Sequence, residues 1–202
     1  TTCYPATASI LRAKELLAPL DGPFTQEELD AYLPRFVEEG RLDDIAAHIR
    51  PGDLLVVSFG HNDANHSKAE RYVPADAFGE SLRPFWDAAR SHGAVCIFAS
   101  PVAMREFDEA GVCHPSFAAY REAMRAFAAE VGAPFIDLGA ATAAANTAFG
   151  AERCKARYMW VGAKQDNAHQ QNAGACRTAQ AFVQQLLQDT TPALDVLRAN
   201  FK

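Results

Sequence analysis

One short stretch of the chain, residues 53–63, constrains the fold more than any other. Residues 54–59 within it form a continuous apolar run, rich in β-branched and aromatic side chains, that follows Pro51 and Gly52. A run of this length and composition predicts a buried β-strand. The residues that follow it without a break are Gly60, His61, Asn62 and Asp63. Because open α/β sheets bind ligands at the carboxyl ends of parallel strands, this polar cluster is a candidate site.

The remaining pattern alternates apolar runs with helical periodicity. Two further runs, 94–99 and 134–138, predict strands. Helices are predicted, from apolar spacing and from capping and breaking residues, over 7–19, 25–33, 41–49, 74–91, 115–131, 139–149, 172–188 and 192–200. Strands that alternate with helices form βαβ units, so we expect an α/β fold, a three-layer α/β/α sandwich with a parallel sheet. A chain of 202 residues is of single-domain size, and we expect one domain over 1–202.

Two motifs together resemble a known family. The cluster from Gly60 to Asp63 resembles the third conserved block of the SGNH (GDSL-type) hydrolases. Residues 164–169, which read Lys-Gln-Asp-Asn-Ala-His before Gly174, resemble the fifth block of that family, Asp-x-x-His, in the form found in rhamnogalacturonan acetylesterase-like members. The resemblance covers about 36–188. It implies the flavodoxin-like SGNH version of the sandwich, and a serine esterase that hydrolyses an O-acyl ester, expected to be O-acetyl, on a carbohydrate such as a pectin or rhamnogalacturonan-type glycan.

The resemblance also implies roles for individual residues. His169 would be the general base, since imidazole titrates near neutral pH, and Asp166 would orient it. We expect Asp166 on a loop that enters the last helix, where a three-residue offset can bring its carboxylate to His169 Nδ1. Asn62 carries an amide N–H that can donate to a developing oxyanion, and Gly60 and His61 are assigned with it to the oxyanion hole and substrate-binding region. This chemistry requires no metal and no cofactor.

The given sequence lacks the block that supplies the nucleophile in this family. The family's first block is Gly-Asp-Ser, and the sequence contains no such tripeptide. Three explanations are open: the given sequence begins just after the nucleophile, another serine such as Ser9 takes its place, or catalysis has been lost. We favour the first, and we expect Ser9 in a helix and Ser58 inside a buried strand. The second-block glycine, another oxyanion donor, should lie shortly before Phe36, but the sequence offers only Gly22 upstream.

Other interpretations of the same residues stay open at this point. Asp166 and His169 could be ordinary loop and helix-cap residues, and Asn62 with Asp63 could form only a turn. A metal site and a thiol nucleophile are further alternatives, and an aromatic sugar platform competes with core packing. Their residues are His61, Asp63 and His66 for the metal, Cys113 and His114 for the thiol, and Tyr158 and Trp160 for the platform. The alternative function is a catalytically inactive SGNH domain that binds glycan or a protein partner.

Charge and composition exclude several partners. A net charge of −6 without a basic stripe argues against a nucleic-acid partner. No apolar run is long enough to span a bilayer, so we expect no membrane partner and a small-molecule or oligosaccharide ester as substrate. Five cysteines at irregular spacing favour reduced thiols over a disulfide framework. We therefore expect a cytoplasmic protein, with secretion as the alternative for a chain that has lost its leader.

Overall fold

The computed structural model describes residues 2–3, 8–11 and 37–199. Its strands are β1 (Thr2–Cys3), β2 (Ala8–Leu11), β3 (Leu54–Val57), β4 (Val95–Ala99), β5 (Phe135–Ile136), β6 (Tyr158–Val161) and β7 (Lys164–Gln170). Its helices are α1 (Arg41–His48), α2 (Ala75–Ser81), α3 (Arg83–Ser91), α4 (Ala118–Val131), α5 (Leu138–Phe149), α6 (Ala151–Cys154), α7 (Asn172–Gln188) and α8 (Asp195–Ala199). Two 3-10 turns, Lys155–Arg157 and Pro192–Leu194, precede β6 and α8. The helix expected over 25–33 lies outside the described residues.

The chain divides into two compact units, each made of two segments of the sequence. The first unit comprises Thr1–Ser100 and Ala119–Phe135, and the second comprises Pro101–Ala118 and Ile136–Lys202. The expectation of one domain over 1–202 stays a prediction. None of the helices in the described ranges is both long and apolar enough to cross a bilayer.

The first unit is built on a five-stranded sheet with the order β1-β2-β3-β4-β5. β3, β4 and β5 run parallel, as the sequence predicts, and β3 pairs with β4 in the register Leu54 to Val95. Leu55, Ile97 and Phe98 are fully buried. Continuous burial of this kind is typical of parallel strands that are covered on both faces, and it explains the absence of a polar alternation in these segments.

The amino-terminal segment differs from its prediction. Residues 8–11, expected in a helix, form β2, which pairs antiparallel with β3 in the register Ala8 to Val57. Ser9 is therefore a strand residue, opposite Val56, and not a helical one. The physical reason is that the backbone groups along the second edge of β3 need partners, and this demand outweighs a weak helical periodicity. The sheet is consequently mixed, since β2 runs antiparallel to both of its neighbours, β1 and β3.

The long helix predicted over 74–91 is two helices. α2 ends at Ser81, and α3 begins at Arg83. Pro84 explains the break because it has no backbone N–H to donate to the carbonyl of Glu80, four residues earlier. The apolar face is nevertheless continuous, and its residues, all fully buried, are Phe78, Leu82, Phe85 and Ala89.

The second unit packs α5 against α7 and carries the hairpin β6–β7. Tyr158, which begins β6, is 1% exposed, and its hydroxyl donates to the carbonyl of Ala103 (2.7 Å) while accepting from Asn146 Nδ2 (2.8 Å). Gly174 lets the first turns of α7 approach this hairpin closely, because a Cβ built there would lie 2.2 Å from the carbonyl oxygen of Arg157. The start of α7 is thereby fixed against the chain that leads into β6.

Replacement of Gly174 by alanine is expected to lower the free energy of unfolding by about 1–3 kcal/mol, since the added methyl forces the helix away from Arg157. Urea denaturation of the purified protein measures this change. Ala175→Ser, one residue further along the same helix at an exposed position, is the control and should cost no more than about 0.5 kcal/mol. A Gly174→Ala protein as stable as the parent would show that this close approach is absent.

Candidate active site

The first group of candidate residues forms a turn after β3. The strand ends at Val57, earlier than predicted, so Ser58 lies beyond it and is half-buried. Gly60 has a φ of 130°, which favours glycine over any residue with a side chain. The Asp63 carboxylate, 1% exposed, accepts the backbone N–H of Gly60 at 2.8 Å. We call this feature the 60–63 turn, and Asp63 closes it.

The 60–63 turn is also held from outside. The hydroxyl of Tyr120, on α4, donates to the carbonyl oxygen of Asp63 at 3.2 Å and to that of Val73 at 2.7 Å. Asn62 and His61, both half-buried, lie between the two anchored ends of the turn. The backbone that carries the Asn62 amide is therefore fixed by its neighbours, as preorganised oxyanion stabilisation requires.

The second group lies in the hairpin of the other unit. Across β6 and β7, Trp160 pairs with Gln165 and Tyr158 pairs with Gln170. The four residues 166–169 of β7 therefore stand opposite a single residue of β6, Met159. We call this insertion the 166–169 bulge. Bulges of this kind bend a strand and redirect its side chains.

The 166–169 bulge brings Asp166 and His169 together. Asp166 Oδ2 lies 2.7 Å from His169 Nδ1. The other carboxylate oxygen, Oδ1, accepts the backbone N–H groups of Ala168 and His169, both at 2.9 Å. The side chain of His169 is 69% exposed and that of Asp166 is 19% exposed. Because Nδ1 is engaged by the carboxylate, Nε2 is the ring nitrogen left for a proton transfer.

The hydrogen bonds keep the Asp166 carboxyl ionised. Burial by itself would raise the pKa of Asp166, but the donors from the backbone of His169 and Ala168 and from the His169 ring lower it to about 2. Lys164 Nζ, 3.7 Å from Asp166 Oδ2, adds a positive charge on the same side. A permanent carboxylate at Nδ1 can orient the imidazole and stabilise its protonated form, which is what a catalytic acid–base pair requires.

Comparison with known proteins gives this geometry a context. The GDSL-like Lipase/Acylhydrolase family matches residues 25–174, which include both the 60–63 turn and the 166–169 bulge. The chain belongs to this family.

Individual members of the GDSL-like family agree with this assignment. Rhamnogalacturonan acetylesterase RhgT of Bacillus subtilis (strain 168) is 36% identical over 171 residues, which are 80% of this chain and 72% of that protein. YxiM of the same organism, named as an uncharacterized esterase, is 30% identical over 152 residues, and the chain spans only 38% of its length. The crystal structure of YxiM has a TM-score of 0.72 at 28% identity, and the match covers 81% of this chain and 45% of that one.

A more distant structure shows the same fold. An acetylxylan esterase from Geobacillus stearothermophilus, Axe2, has a TM-score of 0.53 at 18% identity, over 77% of this chain and 68% of that one. Family membership and these structures confirm the predicted fold class, the SGNH version of the α/β sandwich. The antiparallel pairing of β2 is the departure from the parallel sheet that the sequence predicts.

One expectation about the structure of the fifth block was wrong. Asp166 was expected on a loop that enters the last helix, but it lies within β7 together with His169, and α7 begins three residues after His169, at Asn172. An ordinary strand would direct residues three positions apart to opposite faces. The bulge removes this conflict by folding the segment back on itself through the two backbone donors to Asp166. The assigned roles of His169, Asp166, Asn62, Gly60 and His61 stay predictions.

The sequence did not predict the residues that contact the 166–169 bulge. Asn167 Oδ1 accepts the indole N–H of Trp160 at 2.9 Å, and Arg105 Nη1 lies 3.3 Å from the same oxygen. Nothing in the sequence links Arg105 to a motif 62 residues away. The position of Asn167 inside Asp-x-x-His was the one available signal. Tyr158 is buried in the core and is not a sugar platform. The guanidinium carbon of Arg105 lies 4.7 Å from the centre of the Trp160 ring.

The structure removes two alternatives. Cys113 is 4% exposed, its thiol donates to the carbonyl of Met104, and burial raises its pKa, so it is not an activated nucleophile. Within residues 37–199 and the two short amino-terminal strands, no three His, Cys, Asp or Glu side chains form a group that could hold a metal ion. His61, Asp63 and His66 therefore do not form the metal site that the sequence left open. The cysteines of residues 37–199 are free thiols, namely Cys96, Cys113, Cys154 and Cys176.

Proposed function

We propose that this protein is a carboxylic ester hydrolase of the GDSL-like family that removes O-acetyl groups from a carbohydrate, with a rhamnogalacturonan-type glycan as the expected substrate. The observation that carries the proposal is the 2.7 Å contact between Asp166 Oδ2 and His169 Nδ1, within the family's fifth block. The relative named for rhamnogalacturonan deacetylation supports the carbohydrate and the acetyl group.

The reaction follows from the chemistry of these side chains. A serine hydroxyl attacks the acetyl carbonyl carbon and passes its proton to His169 Nε2, while the carbonyl π electrons move onto oxygen. Asn62 donates its amide N–H to that oxyanion. The imidazolium, stabilised by Asp166, then protonates the sugar oxygen as the C–O bond breaks. Water repeats the sequence on the acyl-enzyme, releases acetate and restores the serine.

The serine nucleophile has to be identified by chemical labelling. Incubation with a fluorophosphonate, which phosphonylates activated serines, followed by peptide mass spectrometry locates it. Hydrolysis of 4-nitrophenyl acetate together with labelling of one serine supports the esterase. The given residues contain no Gly-Asp-Ser tripeptide, so the same labelling tests a second candidate, a catalytically inactive domain that binds glycan. Binding of an acetylated oligosaccharide without hydrolysis and without labelling would favour that second function.

Asn62→Ala is expected to lower kcat for 4-nitrophenyl acetate by about 100- to 1,000-fold, because one oxyanion donor is lost. KM should change little, since the donor acts on charge that develops only in the transition state. Steady-state kinetics separate the two constants. Asn65→Ala, in the same loop but exposed, is the matched control and should retain parental kcat. Equal kcat values for parent and Asn62→Ala would remove Asn62 from the oxyanion hole.

A further inference from the structure

The 166–169 bulge has to be held by contacts other than the strand ladder. Four residues that face one residue cannot all form regular pairs, and a bulge locally disrupts the ladder. The hydrogen bonds from Ala168 and His169 to Asp166 are internal to the bulge. They fix its local shape, but they do not fix its orientation relative to the rest of the hairpin.

Asn167 connects the bulge to its surroundings. Its side-chain oxygen accepts the indole N–H of Trp160, on the facing strand, at 2.9 Å. Its backbone carbonyl accepts the backbone N–H of Arg105 at 2.7 Å, and Arg105 Nη1 lies 3.3 Å from its side-chain oxygen. One residue in the middle of the bulge is thus held by β6 on one side and by the segment at Arg105 on the other.

Arg105 is itself held in place. Its Nε and Nη2 donate to the backbone carbonyl of Ala151, at 3.2 and 2.8 Å. Its guanidinium carbon lies 4.7 Å from the centre of the Trp160 ring, a cation–π distance. Each of Arg105, Trp160 and Asn167 therefore contacts the other two, and we call these three residues the bulge anchor. All three residues are half-buried, so water competes with their hydrogen bonds only in part.

We infer that Arg105, Trp160 and Asn167 are positioning residues for the Asp166–His169 pair. Arg105 and Trp160 hold Asn167, and Asn167, which lies between Asp166 and His169 in the bulge, sets the orientation of that pair. This inference rests on the proposed function for its effect on catalysis. The anchor touches neither the acyl group nor the reacting oxygen. Its effect is on geometry, and misplacement of a catalytic group by about 1 Å can cost on the order of 100-fold in rate.

Two variants remove the same hydrogen bond from opposite ends. Trp160→Phe keeps an aromatic ring for Arg105 but loses the indole N–H, and Asn167→Leu keeps the size of the side chain but loses the acceptor. Each is expected to lower kcat for 4-nitrophenyl acetate on the order of 10- to 100-fold, with KM within about twofold of the parent. Both variants remove the hydrogen bond between Trp160 and Asn167, and Asn167→Leu also removes the oxygen that Arg105 contacts, so the double variant should lose no more than Asn167→Leu alone. Trp86→Phe, on α3, replaces the other tryptophan and should retain parental kcat.

A second measurement does not depend on activity. Carbon-13 NMR of the side-chain carboxyls reports the pKa of Asp166, which the bulge holds at about 2. In Trp160→Phe and in Asn167→Leu this pKa should rise toward the ordinary value of 3.8, as the donors to the carboxylate loosen. A parental protein without esterase activity would refute the proposed function, and the Asp166 titration would still decide the anchor. Folded variants with the parental kcat and the parental Asp166 pKa would overturn the inference.

Discussion

Replacement of His169 by alanine is expected to lower kcat/KM for 4-nitrophenyl acetate by roughly 10,000-fold or more, since no other group takes the proton of the nucleophile. The thermal unfolding midpoint should be close to that of the parent, because the His169 side chain is 69% exposed and contributes little to packing. Stopped-assay kinetics and a thermal melt on the same preparation measure both quantities. Full activity in the variant would eliminate the mechanism.

The chain supplies a matched control for this experiment. His114 Nε2 lies 2.8 Å from Asp108 Oδ2, and the His114 side chain is 66% exposed. This second histidine–aspartate pair resembles the first in its distance and in the exposure of its histidine, but it lies outside the two motifs that resemble the family's third and fifth blocks. His114→Ala should therefore hydrolyse the ester at the parental rate. A loss of activity equal to that of His169→Ala would show that the assay responds to the removal of any exposed histidine.

Asp166→Asn is expected to have the second-largest effect, a fall in kcat on the order of 10,000-fold. The asparagine can still accept the backbone N–H groups of Ala168 and His169, so the bulge should keep its shape. Its amide group, however, would donate to His169 Nδ1, and the ring proton would then reside on Nε2. An imidazole in that tautomer cannot accept a proton from a serine at Nε2.

The control for Asp166→Asn is Asp108→Asn, which changes the carboxylate that contacts His114. The kcat of this control should equal that of the parent. NMR of the ring nitrogens gives a direct measure of the tautomer and should show His169 protonated at Nδ1 in the parent and at Nε2 in Asp166→Asn. An active Asp166→Asn protein with the parental tautomer would mean that the carboxylate does not orient the base.

The parallel strands β3, β4 and β5 and most helices of the described chain could be predicted because their information is local. β3 and β4 are short apolar runs, and α7 has the predicted bounds, 172–188. Pro84 was visible in the sequence, but a strong apolar periodicity on both sides of it favoured one continuous helix. β2 could not be predicted, since its partner β3 lies more than 40 residues away and the residues of β2 show a weak helical pattern.

The residues of the candidate site likewise fall into those that local motifs mark and those that only tertiary contacts identify. Asp166, His169 and Asn62 were found because short motifs mark them. The bulge that brings Asp166 to His169 is not a property of spacing alone. Arg105 and Trp160 are linked to the bulge only through the tertiary structure, and no local pattern identifies such contacts.

The proposed mechanism requires Asn62 and His169 to act on one acyl group. A crystal structure of the protein after reaction with a phosphonate ester, which mimics the tetrahedral intermediate on the nucleophile, is the most direct measurement. We expect the phosphonyl oxygen to lie within about 3 Å of Asn62 Nδ2, and the oxygen of the modified serine to lie within about 3 Å of His169 Nε2. An adduct that contacts one of these residues while the other faces away from it would contradict this mechanism.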